Sequence, residues 1–383
     1  MKRILTVFGT RPEAIKMAPL VIALKKMPRL DALVCVTGQH REMLHQVLET
    51  FSIVPDFNLD LMREGQDLYD LSSRLLLGMR AVLARCQPDM VLVHGDTTTT
   101  FVATLAAFYN KTPVGHVEAG LRTHDLHNPW PEEGNRAMTG RLAACHFAPT
   151  PASKANLVAE GVLPDSIVVT GNTVIDALHY VLKNLERDVA RRARAQADVS
   201  AAGYAPGVRR MVLVTGHRRE NFGDGFERIF TALRTLAQRF GEVDFVYPVH
   251  LNPLVREPAH VMLSGIGNVH LIEPLEYEPF VYLMSRCYFI ISDSGGIQEE
   301  APSLGKPVLV TRDTTERPEA VQAGTVQLVG TNAQRIVAAA SGLLESPALH
   351  EKMSRSHNPF GDGRAAERIA EHLRVLLNDS AAQ

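Results

Sequence analysis

Cysteine is scarce: Cys35, Cys86, Cys145 and Cys287 are the only four in 383 residues, and they lie far apart. None belongs to a Cys-x-x-Cys pair or a clustered Cys/His pattern, which excludes a disulfide-stapled secreted scaffold and a zinc-finger-type centre; they read as reduced, mostly buried thiols. Long apolar runs are missing too. The stretch Ile4–Phe8 behind Met1-Lys2-Arg3 is cut off at Arg11, too short for a secretory core, and no uncharged run approaches the ~20 residues of a membrane span. A cytoplasmic protein with no membrane partner is expected. Neither sign of charge prevails, since 40 Lys+Arg meet 42 Asp+Glu for a net charge of −2, so nothing advertises a nucleic-acid surface. The chain also lacks internal repeats, low-complexity tracts, a G-x-x-x-x-G-K-[ST] motif (Gly305-Lys306-Pro307 fails it) and a strand-linked G-x-G-x-x-G. ATP and NAD sites of the usual kinds are thereby disfavoured.

What is present is the profile of a globular enzyme, 45% apolar and 21% charged. At roughly 150 residues per domain the length suggests two domains. Short apolar runs alternate with longer stretches of helical periodicity, the signature of βαβ units and parallel sheets. Strands are expected at Arg3–Phe8, Ala32–Thr37, Met90–His94, Val114–Val117, His146–Ala148 and Ile167–Thr170, then at Met211–Thr215, Phe245–Pro248, Val269–Ile272, Tyr288–Ser292 and Val308–Val310. Two doubly wound, Rossmann-like domains follow from this: residues 1–172, with the last helix over 365–383 folding back onto them, and residues 173–364.

Ligands of open α/β sheets bind beyond the carboxyl ends of the strands, and those ends are polar here. After the first strand, Gly9-Thr10-Arg11-Pro12-Glu13 opens a helix carrying Lys16, so a glycine turn, a helix N-terminus and two cations converge on an anion-sized space. The alternative is a tight turn whose Arg11 pairs with Glu13. Later strands end in His94-Gly95-Asp96-Thr97 and His116-Val117-Glu118-Ala119-Gly120-Leu121-Arg122, and Pro129-Trp130-Pro131-Glu132-Glu133 starts a helix on which Glu132 and Arg136 stand one turn apart. Taken singly, Asp96 could be a helix N-cap and Glu132 a helix charge pair. Three carboxylates facing one cleft would push one another's pKa values apart, as proton-transfer chemistry near neutral pH requires. His116 and Glu118, with His124 and His127 nearby, lack a third ligand at fixed spacing, so no metal is expected.

The second half supplies Gly216-His217-Arg218-Arg219-Glu220 and Asp293-Ser294-Gly295-Gly296-Ile297-Gln298-Glu299-Glu300, each behind an expected strand. Gly295 and Gly296 would let a diphosphate approach backbone N–H groups, Ser294 would add a hydroxyl and Glu300 could accept from ribose hydroxyls. Arg317, in the loop from Asp313, either supports that seat or pairs with Glu316.

In these blocks, together with Arg312-Asp313-Thr314-Thr315-Glu316-Arg317-Pro318-Glu319, the chain resembles the non-hydrolysing UDP-N-acetylglucosamine 2-epimerases almost end to end. The resemblance implies a glycosyltransferase-B-like fold with the active site in an interdomain cleft that closes on UDP, a homodimer, no cofactor, and interconversion of UDP-N-acetylglucosamine and UDP-N-acetylmannosamine for cell-surface polysaccharides. It places catalytic roles on Asp96, Glu118, Glu132, Arg136 and His217, and nucleotide-sugar contacts on Arg11, Lys16, Phe280, Ser294, Gly295, Gly296, Glu300 and Arg317. Leu275 stands where close relatives carry Gln. Some members take a second UDP-N-acetylglucosamine as activator; Gln39, Gln66, Arg218 and His250 match that region, while Glu42 stands where activated members have Gln. A hydrolysing epimerase, a glycosyltransferase of the same architecture and a non-catalytic nucleotide-sugar sensor are the competing readings.

Overall fold

Runs of branched apolar residues become strands where Gly or a polar turn former follows, and the amphipathic stretches between them become helices that cover the sheets. The structure, a computed structural model, describes residues 1–38, 41–63 and 65–379, the side chains of 41–43 and 378–379 excepted. The chain forms two compact units, Met1–Ala177 with Phe360–Gln383, and Leu178–Pro359; the division falls within the helix Thr173–Arg187.

In the first unit the strands are β1 (Lys2–Phe8), β2 (Leu30–Val36), β3 (Phe57–Asn58), β4 (Met90–His94), β5 (Val114–Val117), β6 (Cys145–Ala148) and β7 (Ile167–Val169). They pair in parallel in the order β3-β2-β1-β4-β5-β6-β7. Thr6 of β1 stands opposite Val34 on one side and Leu92 on the other, so β1 and β4 flank the point where the strand order reverses. Successive residues Val91, Leu92 and Val93 are all buried, which requires cover on both faces of the sheet. That cover includes the helices Arg11–Lys25, Leu68–Cys86, Thr98–Tyr109 and Ala365–Asp379.

The second unit repeats the plan with β8 (Arg210–Thr215), β9 (Val243–Pro248), β10 (Val269–Ile272), β11 (Phe289–Ser292), β12 (Val308–Val310) and β13 (Val326–Leu328), in the parallel order β10-β9-β8-β11-β12-β13. Its reversal lies between β8 and β11, where Val214 pairs with Ile291. A core of Phe226, Phe230, Phe245, Tyr247 and Phe289 fills one face. Strands β3 and β13, at the edges of the two sheets, have no counterpart in the sequence reading, because Phe57-Asn58 and Val326-Gln327-Leu328 carry a polar residue where an inner strand is continuously apolar. Among the described residues no helix is long and apolar enough to cross a membrane.

Candidate active site at the strand tips

Each sheet carries its polar cluster where its strand order reverses. In the first unit the helix Arg11–Lys25 opens with a capping box: Thr10 Oγ1 accepts the Glu13 N–H, and Glu13 Oε2 accepts the Thr10 N–H at 2.7 Å. The other Glu13 oxygen accepts the hydroxyls of Thr97 at 2.6 Å and Thr100 at 3.1 Å. This buried carboxylate therefore pins the β1 tip to the β4 tip. Thr97, not Asp96, caps the helix Thr98–Tyr109, accepting from the Thr100 N–H. Asp96 is left to point elsewhere.

Asp96 Oδ2 accepts from Arg136 Nη2 at 2.5 Å, and its carbonyl accepts from Asn135 Nδ2 at 3.0 Å. Both partners come from the helix Glu132–Leu142. Arg136 also faces Glu133 at 3.4 Å, one residue from the Glu132 partner suggested by the spacing. Glu133 is buried and accepts the backbone N–H groups of Thr123 and His124, so it orients Arg136 and holds the preceding loop. Burial drives the Asp96 carboxyl up to about 6; Arg136 and Lys16 oppose this, whereas Glu118 and Glu132 reinforce it. Glu118 and Glu132 are thus both close enough to Asp96 to act on it.

Glu118 follows β5 with φ +61°, a left-handed backbone that costs a non-glycine residue about 1–3 kcal/mol. Its Oε2 pairs with Lys16 Nζ and accepts from Asn172 Nδ2 at 2.8 Å. The buried His94 imidazole stands 3.7 Å from the same oxygen, beyond hydrogen-bond reach, and burial holds its pKa down at about 4. His116 is pushed down to about 3 by burial and gives its Nε2 to the Gly95 carbonyl at 2.7 Å. Lys16, expected at an anion, is here the counter-ion of Glu118. Arg11 lies in the first turn of its helix, partly exposed.

In the second unit Asp293 is wholly buried behind β11 and acts as the anchor. Its carboxylate accepts the backbone N–H groups of His217 (3.0 Å) and Arg218 (2.9 Å) and the Asn221 amide (3.1 Å). His217 Nδ1 lies 3.5 Å from Asp293 Oδ1, and its ring stacks on His250 at 5.8 Å. Burial lowers the His217 pKa, with Arg218 and His250 adding to the effect against Asp293, so the ring is neutral near pH 7. The carboxylate favours the tautomer with hydrogen on Nδ1, leaving Nε2 to accept.

Ser294 is the N-cap of the helix Gly295–Glu300. A Cβ on Gly295 would fall 2.6 Å from Arg317 Nη1, so only glycine admits the guanidinium there. Arg317 pairs chiefly with Glu299 at 2.7 Å and faces Glu316 at 3.5 Å. Glu300 accepts from the Tyr277 hydroxyl at 2.7 Å, and a Cβ on Gly296 would lie 3.8 Å from its other oxygen. Phe280, partly buried, occupies the first turn of the helix Tyr277–Arg286. Arg312, bound to Glu220 and Glu316, fixes the loop before Arg317.

Every candidate catalytic and nucleotide-sugar residue falls into one of these clusters or on their helices. Among the activator candidates, Gln66 is in the first unit, where it accepts from Arg74 Nη2 at 2.9 Å; Arg218 and His250 border His217 in the second; Gln39 lies outside the described residues. The sequence reading passed over Glu133, Asp293 and Asn172 as functional residues. Asp293 carried a signal, an acidic residue directly behind a buried strand; Glu133 and Asn172 carried none.

Comparison with known proteins places the chain in one family. The family model described as UDP-N-acetylglucosamine 2-epimerase matches residues 22–374. A probable UDP-N-acetylglucosamine 2-epimerase of Ralstonia solanacearum is 60% identical over 98% of this chain and 100% of its own length. The UDP-N-acetylglucosamine 2-epimerase of Escherichia coli K12 is 58% identical over 97% of this chain and 98% of its own. The crystal structure of the Neisseria meningitidis UDP-GlcNAc 2-epimerase bound to UDP-GlcNAc superposes with a TM-score of 0.90 at 53% identity, covering 97% of this chain and 99% of that one. The Methanocaldococcus jannaschii enzyme in complex with UDP-GlcNAc and UDP gives 0.80 at 32% identity, covering 98% and 100%.

Proposed function

Because the chain belongs to the UDP-N-acetylglucosamine 2-epimerase family, we propose that it inverts C2 of UDP-N-acetylglucosamine to give UDP-N-acetylmannosamine, through 2-acetamidoglucal. The C2 hydrogen is not adjacent to a carbonyl, so a carbanion there has no ordinary sink. Expulsion of UDP supplies one: a carboxylate takes the C2 proton, the C–H electrons form the C1–C2 double bond, and the C1–O bond breaks onto the β-phosphate oxygen. In the return step a proton reaches C2 from the opposite face and UDP adds back to C1. Such a route needs proton carriers on both faces of the ring, a task worth about 10²–10⁴-fold per group. The placing of Asp96 and Glu118 behind the adjacent strands β4 and β5, with Glu132 of the following helix near Asp96, is the observation that carries this reading.

We assign proton transfer to Asp96 with Glu118 or Glu132, and the orientation of Asp96 to Arg136. We assign the diphosphate to Ser294, Gly295, Gly296 and Arg317 and further nucleotide-sugar contacts to Arg11 and Lys16, with neutral His217 among the catalytic residues; Glu300 and Phe280 hold the nucleoside. Site of action is the cytoplasm, and the product feeds cell-surface polysaccharides. The chain pairs with a second copy. Support for pairing comes from the helix Thr98–Tyr109, which has no charged residue and displays Phe108 and Tyr109, and from an open groove of about 660 Å³ beside it, lined by Leu68, Tyr69, Phe101, Leu105 and Trp130 among others.

Incubation of UDP-N-acetylglucosamine with the protein in deuterated water, followed by NMR, tests the route. Deuterium is expected at C2 of both epimers with the UDP linkage intact, and Glu118→Gln should slow exchange by about 10²-fold or more. Unlabelled C2 during turnover would refute elimination, and steady release of free UDP would select the hydrolysing chemistry instead.

A further inference from the structure

Glu118 is held by a residue that lies neither on its own strand nor on its neighbours. Asn172 follows β7, two strands away from β5 in the sheet, and is almost wholly buried. Its four polar contacts point in different directions. The side-chain Nδ2 donates to Glu118 Oε2 at 2.8 Å, and Oδ1 accepts the Val174 N–H at 3.0 Å, closing an Asx turn into the helix Thr173–Arg187. The backbone carbonyl accepts from Ile175, and the backbone N–H donates to the Phe360 carbonyl at 2.7 Å. That last bond is made where the chain re-enters the first unit. Gly171 (φ +89°) and Gly361 (φ +127°) face each other there, a Cβ on either reaching within 3.3 Å of the other strand's backbone atoms, so the returning segment can lie directly against residues 171 and 172. Arg368 adds a bond to the Thr170 carbonyl, and Asp176 accepts the N–H groups of Ala365 and Ala366.

We propose that Asn172 is a positioning residue for Glu118, presented by the returning C-terminal segment, and that its amide fixes the direction of the carboxylate by holding Oε2 in place. The inference rests on the assignment of Glu118 to proton transfer. Two donors, Lys16 Nζ and Asn172 Nδ2, converge on Oε2, while Oε1 lies over Gly95, 3.8 Å from where a Cβ would be. The flexible Lys16 can follow a moving anion. The amide of Asn172 cannot, because its other end is tied into the turn. A hydrogen bond to the charged form also favours that form, which a proton acceptor needs. The titratable groups facing this carboxylate include His94, neutral through burial, and Asp96, itself paired with Arg136.

Asn172→Asp is the discriminating variant. It is isosteric, retains the acceptor for Val174 and the backbone bond to Phe360, and replaces only the donor with an oxygen that repels Glu118. The expected result is a kcat at pH 7 lowered by about tenfold or more with KM for UDP-N-acetylglucosamine within about threefold. The acidic limb of the kcat profile should move up by about one pH unit, so activity recovers in part as pH rises. Asn172→Ala, which loses the donor without adding charge, should show a smaller shift in the same direction. A uniform loss across pH in Asn172→Asp, or an unmoved limb in both variants, would overturn the inference. Glu118→Gln run alongside separates the two readings: if it abolishes exchange while the Asn172 variants leave the limb in place, only the positioning role falls, whereas full exchange in Glu118→Gln removes both.

Discussion

Asp96 shows how a single carboxylate is tuned by neighbours of both signs. Enclosure and two nearby carboxylates raise its pKa to about 6, and the Arg136 fork limits the rise. Removing the fork therefore has a definite sign. In Arg136→Gln the Asp96 carboxyl should titrate above about 6, by about one unit or more given the short contact, and carbon-13 NMR of labelled aspartate would register the move. Titration at or below the wild-type position would mean that the fork does not control Asp96. The same residue explains why the helix-cap alternative fails: Thr97, one position on, already closes the helix Thr98–Tyr109, so the acid is not needed for it.

At the scale of elements, the loops behind the strands are as demanding as the strands. Gly120 has φ +90°, and a Cβ there would sit 2.2 Å from the Ser153 carbonyl oxygen, backbone that cannot step aside. Gly120→Ala should cost about 3 kcal/mol or more, because a left-handed conformation and a hard overlap coincide, and urea unfolding would measure it. A loss under about 1 kcal/mol would show that the loop after β5 relaxes freely. These loops also mark what the residue pattern conveys. The strands other than β3 and β13, and the polarity of their ends, were legible because buried parallel strands are continuous apolar runs and the following turn residues stand out against them. The Glu132–Arg136 pairing was legible only as a spacing. In the fold Arg136 turns to Asp96 and Glu133, a choice made by the packing of the helix Glu132–Leu142 against the β4 tip, which no local pattern encodes. Asn172 was invisible as a site residue for the same reason: its partners, Glu118 and Phe360, are 54 and 188 positions away.

For the whole molecule, the pairing of two copies is open to a direct test. Tyr69 lines the groove beside the uncharged helix and is 86% exposed, so Tyr69→Asp leaves the fold of one copy untouched while placing a charge on the apolar face. Sedimentation should show the wild type as a dimer and the variant shifted toward monomer; equal sedimentation of the two would exclude this face as the contact. A different consequence follows from the late return of the chain to its first unit. The helix Arg11–Lys25 packs against Ala365–Asp379, so a helix synthesised before the second unit waits for one synthesised after it. Residues 178–359 contain the whole second sheet and precede that helix, so the nascent protein can assemble its second half while its first half is still missing a wall.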